Sequence, residues 1–469
     1  MSESSSSVHV ADLLDAEIRS SPAGTRLPTN RELVKRFAVS ATTVSHALAI
    51  LGQRGLVDSR PGAGTFRSAS APTPREGDTS WQEAALARPS GGFGTAGLLG
   101  TLQPVGPEVV DLNGGYLHPD LQPLAALGAA LTRAARGAGA WDRPPVAGLP
   151  DLRDWFATDI GGGLTRRDVL ICGGGQAALA TALRALAAPG APVVLESPTY
   201  PGATAAAHAA GLRVIPVPLD GEGLRADHLD AALAGSGARV VVVQPLHQNP
   251  TTVSLSPQRR LDLREAARKH GAFLVEDDFA RHLAHAGAPP TPPPLIADDP
   301  DGTVVHIRSL TKATSPNLRV AALAARGPAL ARLRAAHVVD TMFVPAPLQR
   351  TALEVVTGPA WRRTRTALSA SLTERRTAAT AAVRAVFGPT ALPVTPQGGY
   401  HLWIPLPEHL DGAGFAAAAL ATGTALTPGE NYQLTPTPTH HIRLSYAAAP
   451  TTTDIDTAIR RLAPLLDQR

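Results

Sequence analysis

With 469 residues, of which 44% are hydrophobic and 17% charged, the chain has an ordinary globular balance but is too long for one typical core, so we expect two or three domains. The net charge of +4 is small, and the single cysteine, Cys172, excludes both a disulfide framework within the chain and a cysteine-rich metal site. Because neither a signal peptide pattern nor an apolar run of about 18 residues is present, we expect a cytoplasmic protein without a membrane span or a metal.

Residues 9–67 predict a compact unit of short helices that ends in a hairpin, and we assign this domain to residues 1–67. Asn30 can cap the helix RELVKRF, and Ser40 can cap the next helix, ATTVSHALAILGQRG, whose apolar residues recur at helical spacing. The segment LVDSRPGAGTFR then predicts two short strands joined by a glycine turn. This order of elements is typical of a winged helix-turn-helix.

Positive charge is concentrated in the same unit, where residues 26–67 hold seven basic side chains and two acidic ones. Such a surface can attract DNA phosphates, although a solvated basic face would have the same composition. We expect the helix after Ser40 to enter a major groove, with Thr42, Thr43 and His46 near base edges and with Arg31 and Arg60 on phosphates. The candidate DNA-binding residues are Arg31, Ser40, Thr42, Thr43, His46, Arg60 and Gly62.

The rest of the chain divides into a linker and a larger domain. Residues 68–107 are rich in Ser, Ala, Pro, Thr and Gly, which predicts a flexible linker. Residues 108–469 alternate apolar runs with amphipathic stretches, which predicts an α/β fold whose mainly parallel sheet is covered by helices. From about residue 360 we expect a smaller α/β subdomain. The predicted strands are DVLICGG, PVVLES, RVIPVPL, RVVVVQP, AFLVEDD and TVVHIRS.

The segment RSLTKATSPNLR, residues 308–319, contains a lysine in a chain that strongly prefers arginine. Only three of the 43 basic residues are lysines, and Lys312 is one of them. Arginine would serve if the position needed charge alone, whereas a desolvated lysine can lose its proton and act as a nucleophilic amine. If the position instead needs an amine that condenses with an aldehyde, only lysine will serve.

Polar residues follow five predicted strands, at the edge where open α/β sheets collect ligands. A glycine-rich turn, residues 173–176, opens a helix whose free N–H groups could hold a phosphate, although a plain tight turn has the same sequence. Each strand end taken alone fits a turn, a cap or a surface charge. Together they match pyridoxal 5'-phosphate (PLP), which needs a lysine, a carboxylate at its ring nitrogen, phosphate donors and a stacking face.

Residues 107–469 resemble the fold-type I aminotransferases, and the resemblance assigns roles to these residues. It implies that Lys312 forms the Schiff base with PLP and that Asp277 pairs with the pyridine nitrogen. It also implies that Asn249 of HQNPT contacts the phenolate oxygen, that Tyr200 of SPTYPG stacks on the ring, and that Arg443 of HHIRLSYA binds a substrate or effector carboxylate. The implied phosphate-binding residues are Gly174, Gly175, Gln176, Ser309 and Arg319.

Residues 9–67 resemble the GntR-type winged helix in LPTNRELV, SATTV and SRPGAGTF. A GntR domain, a linker and an aminotransferase-like domain resemble the MocR subfamily of bacterial regulators. The resemblance implies a homodimeric, PLP-dependent transcriptional regulator that binds operator DNA and senses PLP, an amine or an amino acid. Two alternatives stay open, a catalytically active aminotransferase with an appended DNA-binding domain and a scaffold without cofactor.

The chain departs from these families at several positions. Phe279 stands where a tyrosine is common, and Gly175 stands where a hydroxyl residue is common, so the PLP phenolate and phosphate each lose a donor. Ala41 replaces an arginine that contacts guanine in many relatives, which leaves the operator preference open. Trp141 is near the position of a phosphate-contacting tyrosine from the partner subunit, although packing against its own chain is the simpler interpretation.

Overall fold

The computed structural model describes residues 3–68, 78, 79, 81, 82, 86, 95–435 and 440–467. The chain divides into two compact units, Met1–Pro89 and Ser90–Arg469. Much of the predicted linker lies outside the described residues. The predicted bounds 1–67, 68–107 and 108–469 therefore stay predictions. No helix of the described residues is both long enough and apolar enough to cross a membrane.

The N-terminal unit is a helix-turn-helix followed by a small antiparallel hairpin, as predicted. Buried apolar side chains from all three helices, such as Leu14, Leu33 and Val44, form its core. Its elements are α1 (Glu3–Ser20), α2 (Asn30–Phe37), α3 (Ala41–Gln53), β1 (Val57–Arg60) and β2 (Gly64–Arg67).

The two predicted helix caps of this unit have different outcomes. Ser40 caps α3 as expected, because its Oγ accepts a hydrogen bond from the backbone N–H of Thr43 at 3.1 Å. The prediction that Asn30 caps α2 is wrong. The cap is Thr29, which forms a reciprocal capping box with Glu32, and Asn30 is the first helical residue. The threonine is preferred because the glutamate three residues later can return a hydrogen bond to its backbone N–H.

The C-terminal unit is built on an eight-stranded sheet with the order β4-β11-β10-β9-β8-β5-β6-β7. Neighbouring strands are parallel, except that β11 is antiparallel to β4 and β10, and β7 is antiparallel to β6. The strands are β3 (Val110–Asp111), β4 (Val169–Cys172), β5 (Pro192–Ser197), β6 (Arg213–Asp220), β7 (Gly223–Leu224), β8 (Val240–Val243), β9 (Phe273–Asp277), β10 (Val304–Ser309) and β11 (Ala321–Ala324).

Both faces of this sheet are buried in the strands from β4 to β5 in the sheet order, whereas β6 is partly exposed. Val194 of β5 belongs to one apolar cluster and its neighbour Leu195 belongs to another, because successive strand residues point to opposite faces. Burial on both faces explains why the strands are continuous apolar runs in the sequence. The helices up to β11 are α4 (Ala96–Gly100), α5 (Leu124–Arg136), α6 (Pro150–Ile160), α7 (Gly175–Leu186), α8 (Pro201–Ala209), α9 (Ala226–Ser236) and α10 (Pro257–His270).

A smaller α/β part follows, as expected. A three-stranded antiparallel sheet has the order β12-β15-β14, and β13 pairs in parallel with β3. The remaining helices are α11 (Ala329–Thr341), α12 (Ala346–Thr357), α13 (Ala360–Phe387), α14 (Gly412–Ala421) and α15 (Thr452–Arg460), and the remaining strands are β12 (His401–Pro405), β13 (Thr424–Ala425), β14 (Thr427–Pro428) and β15 (His441–Ser445).

Candidate cofactor site and nucleic-acid interface

The carboxyl ends of β4, β5, β8, β9 and β10 meet around one cavity of the C-terminal unit. Of the residues predicted to hold PLP, all except Gly174 line it directly, and Gly174 caps the helix that begins at the lining residue Gly175. The lining residues are Tyr116, Gly175, Gln176, Leu179, Tyr200, Gln244, Asn249, Asp277, Phe279, Ser309, Thr311, Lys312, Arg319 and Tyr400.

The amine of Lys312 lies inside this cavity. Its Nζ donates a hydrogen bond to the carbonyl oxygen of Gly115 at 2.7 Å and lies 3.9 Å from the ring centroid of Tyr116. Burial and, to a smaller extent, the charge of Arg443 lower the pKa of Lys312 to about 7, with Asp277 opposing the shift. A large fraction of the amine is therefore neutral and nucleophilic near pH 7.

Asp277 ends β9 and faces the same cavity. Burial raises its pKa to about 6, while a hydrogen bond from Gln244 Nε2 to Asp277 Oδ2 at 2.8 Å favours the ionised form. The carboxylate is therefore mostly ionised at neutral pH and can pair with a protonated ring nitrogen.

A cradle for an anion forms where α7 begins. Gly174 has φ +94°, and a Cβ at this position would lie 2.7 Å from Cζ of Arg319, so only glycine leaves room for the guanidinium. Arg319 itself has φ +49° and donates from Nη2 to the carbonyl oxygen of Gly173 at 2.9 Å. Ser309 lies beside Gly175, where an added Cβ would be 3.4 Å from the Ser309 Cβ. Backbone N–H groups of a helix N-terminus and a guanidinium are the donors that a phosphate requires.

Tyr200 and Gln176 pack against a glycine that the sequence predictions did not include. Gln176 Nε2 donates to the carbonyl oxygen of Gly202 at 2.8 Å. A Cβ at Gly202 would lie 2.3 Å from Cε1 of Tyr200 and 2.4 Å from Oε1 of Gln176. That Oε1 is buried and has no hydrogen-bond partner among the described residues.

Arg443 lies on β15 and reaches the loop that carries Asn249. It is 2% exposed, and it donates from Nη1 to Asn249 Oδ1 at 3.3 Å and from Nη2 to the carbonyl oxygen of Asn113 at 2.6 Å. Its buried Nε has no partner among the described residues. The structure thus brings the predicted carboxylate-binding arginine next to the predicted phenolate-binding asparagine.

The sequence predictions missed Tyr116, Gln244 and Tyr400, which also line the cavity. Two of them had a shared signal, because both tyrosines follow a pair of glycines, in NGGY and QGGY. Gln244 had a weaker signal as a polar residue directly after the valines of β8. The departure at Phe279 puts an apolar ring in the wall, 6.3 Å from the ring centroid of Tyr400.

In the N-terminal unit, the predicted DNA contacts are on the surface with one exception. Thr42, His46, Arg31, Arg60 and Gly62 are exposed, and Gly62 has φ +74° in the hairpin turn. Arg60 lies with its guanidinium carbon 5.1 Å from the ring centroid of Phe66.

Thr43 is the exception, because its side chain is buried, which argues against the predicted place near base edges. It is 6% exposed, and its hydroxyl lies 2.8 Å from Ser40 Oγ. The third position of the helix therefore turns towards the core and supports the cap. Trp141 is 81% exposed and is not packed as the simpler interpretation expected, although its Nε1 donates to the carbonyl oxygen of Ala135 at 3.1 Å.

Residues 108–462 match the family described as aminotransferase class I and II. The chain belongs to this family. Residues 6–66 match the gntR family of bacterial regulatory proteins. The chain therefore joins a GntR helix-turn-helix domain to a class I and II aminotransferase domain, which is the arrangement of MocR-like regulators, and the predicted family and fold are confirmed.

Similar proteins include both regulators and enzymes. The HTH-type transcriptional regulator YisV of Bacillus subtilis is 26% identical over 94% of this chain and 91% of its own length. The vitamin B6 salvage pathway transcriptional repressor PtsJ of Salmonella typhimurium is 28% identical over 89% of this chain and 88% of its own. The structure of LysN, the α-aminoadipate aminotransferase of Thermus thermophilus, is similar with a TM-score of 0.73, at 27% identity, over 82% of this chain and 98% of that one.

Proposed function

We propose that this GntR-aminotransferase regulator binds PLP through Lys312 and uses the cofactor domain to sense an amine or amino acid. The observation that carries the proposal is the convergence of Lys312, Asp277 and Arg319 on one cavity. Bound PLP would supply an aldehyde that reacts with amines and a ring that withdraws electrons.

Each of the predicted site residues has a definite role in this proposal. Lys312, with its pKa lowered to about 7, offers a neutral amine. Asp277 would keep a proton on the ring nitrogen of bound PLP, Arg319 and the start of α7 would hold its phosphate, and Tyr200 would cover a ring face. Arg443 offers its unpartnered Nε to the carboxylate of an incoming amino acid. Because Nη1 of the same guanidinium contacts Asn249, a movement of Arg443 on carboxylate binding would reach the cofactor site.

The GntR domain implies DNA binding, and we propose that α3 is the element that enters the groove. Its exposed Thr42 and His46 are free to approach base edges. Within the described residues, Arg31 and Arg60 form no salt bridge, whereas Arg36 and Arg54 pair with acidic side chains of α1. The two unpaired arginines are therefore available to phosphates.

We further propose that the chain acts as a homodimer. Trp141, Val339 and Met342 are large apolar side chains with exposures of 81%, 87% and 66%. A partner subunit that covered these side chains would remove their apolar surface from water. Analytical ultracentrifugation at micromolar concentration should give the mass of two chains, and Val339→Glu should shift the protein towards monomers.

The decisive experiment combines a spectrum with an operator titration. Purified protein should show a visible absorption band from bound PLP, and reduction with borohydride should fix the cofactor on the Lys312 peptide. The operator affinity should differ between PLP-free and PLP-loaded protein. A coupling of about 1–3 kcal/mol would change operator affinity several-fold to about a hundredfold. Equal operator affinities together with rapid transamination of an ordinary amino acid would instead support the catalytic alternative.

A further inference from the structure

Gln244 contacts two residues that would meet different parts of the cofactor ring, through the side chain of Asp277 and the backbone of Asn249. Its Nε2 donates to Asp277 Oδ2 at 2.8 Å, and its Oε1 accepts from the backbone N–H of Asn249 at 3.0 Å. Since the first partner only accepts and the second only donates, the orientation of the amide is fixed. One buried side chain thus joins the ends of two strands.

The backbone of Gln244 is held in turn by a buried carboxyl group. Glu196 Oε1 accepts from the backbone N–H of Gln244 at 3.2 Å, and Glu196 Oε2 accepts from Gln248 Nε2 at the same distance. Burial raises the pKa of Glu196 to about 8. Gln244 is therefore held from behind while its amide reaches towards the cavity.

We propose that Gln244 is a positioning residue for PLP, an inference that rests on the proposed PLP binding. By occupying Asp277 Oδ2, it leaves Oδ1 for the ring nitrogen and favours the ionised carboxylate. By accepting a hydrogen bond from the backbone N–H of Asn249, it would fix the position from which the Asn249 side chain could meet the phenolate oxygen. A single amide thereby sets the relative position of two groups that contact the ring.

The two tasks require an amide at this length. Leucine would leave the Asp277 oxygen and the Asn249 N–H buried without partners, which is unfavourable. Ionised glutamate would place a second negative charge against Asp277 and would raise the pKa of Asp277. Protonated glutamate, in contrast, could donate to Asp277 and accept from Asn249, as glutamine does. The variant Gln244→Glu is therefore expected to depend on pH in a way that glutamine does not.

The experiment measures PLP dissociation constants for full-length protein freed of cofactor, from pH 5.5 to pH 8.5. The variants are Gln244→Leu, Gln244→Glu and, as a matched control, Gln248→Leu. Gln248 is also a buried glutamine bonded to Glu196, but its hydrogen bonds do not reach Asp277. Thermal unfolding checks that each variant is folded, and the ¹⁵N shift of ring-labelled PLP reports whether the ring nitrogen is protonated.

We expect Gln244→Leu to weaken PLP binding roughly tenfold to a hundredfold, in line with the loss of one hydrogen bond to a charged group. The ratio of the Gln244→Glu to the wild-type constant should be near one at pH 5.5 and should rise with pH, while the ratio for Gln248→Leu stays flat. The ring nitrogen should lose protonation in Gln244→Glu at high pH.

The experiment distinguishes failure of the proposed function from failure of the positioning role. Wild-type protein that binds no PLP would refute the proposed function itself. Wild-type protein that binds PLP, with a flat ratio for Gln244→Glu and an unchanged ¹⁵N shift, would overturn the positioning role alone. If Gln244→Leu does not fold, the isosteric Gln244→Glu still decides the question.

Discussion

Replacement of Gly174 by alanine tests whether the cradle at the start of α7 binds a phosphate. Gly174 has φ +94° and ψ 169°, a backbone conformation that is essentially limited to glycine. An added Cβ would lie 2.7 Å from Cζ and 2.8 Å from Nη2 of Arg319, so the guanidinium must move away. The change thus combines backbone strain with displacement of the phosphate-binding arginine.

Gly388 provides a matched control. It has φ 92° and ψ 159°, and a Cβ at Gly388 would meet nothing within 4 Å. Both alanine variants should lose stability through the backbone alone, by on the order of 1–3 kcal/mol. Only Gly174→Ala should also lose a charge-assisted hydrogen bond to the phosphate, of about 1.5–3 kcal/mol. That loss corresponds to roughly a tenfold to a hundredfold increase in the PLP dissociation constant.

The assay is a PLP titration followed by visible absorbance, with the free energy of unfolding measured in parallel by urea. Gly388→Ala should bind PLP like the wild type, and Gly174→Ala should not. If both variants bind PLP with wild-type affinity, the assignment of Gly174 and Arg319 to a phosphate is refuted. If both lose affinity equally, the effect arises from global stability and not from the cradle.

The remaining predictions concern Lys312 and the DNA-binding unit. Lys312→Ala should abolish borohydride-trapped labelling by PLP, and a variant that is still labelled on the same peptide would contradict the assignment. The neutral amine of Lys312 is the reactive form, and its pKa is lowered to about 7. The rate of covalent PLP capture by wild-type protein should therefore rise with pH below 7 and level off above it. A rate that falls with rising pH would contradict the role of the neutral amine. Arg60→Ala should weaken binding to all DNA sequences and reduce the slope of log affinity against log salt by about one, whereas Thr42→Ala should change the preference at particular base pairs. Thr43→Ala should lower the thermal stability and leave base preference unchanged, because Thr43 is buried, and an altered preference would show that it reaches DNA.

Features that depend on residues close together in the chain were predictable from the sequence. The buried strands appeared as short apolar runs, Ser40 appeared as a cap, and Lys312 was conspicuous among arginines. Because the carboxyl ends of parallel strands lie along one edge, the sequence also predicted that Asp277 and Lys312 would meet. In each case the signal was local or followed from a general rule of sheet topology.

Only the tertiary structure decided the rest. β11, Ala321–Ala324, is a strand although alanine favours helices, because its place between β4 and β10 buries small side chains in the sheet. Gln244 bonds Asp277, which is 33 positions away, and Gly115 meets Lys312 across 197 positions. Propensity and periodicity describe a residue and its near neighbours, whereas these contacts exist only once strands distant in sequence lie side by side.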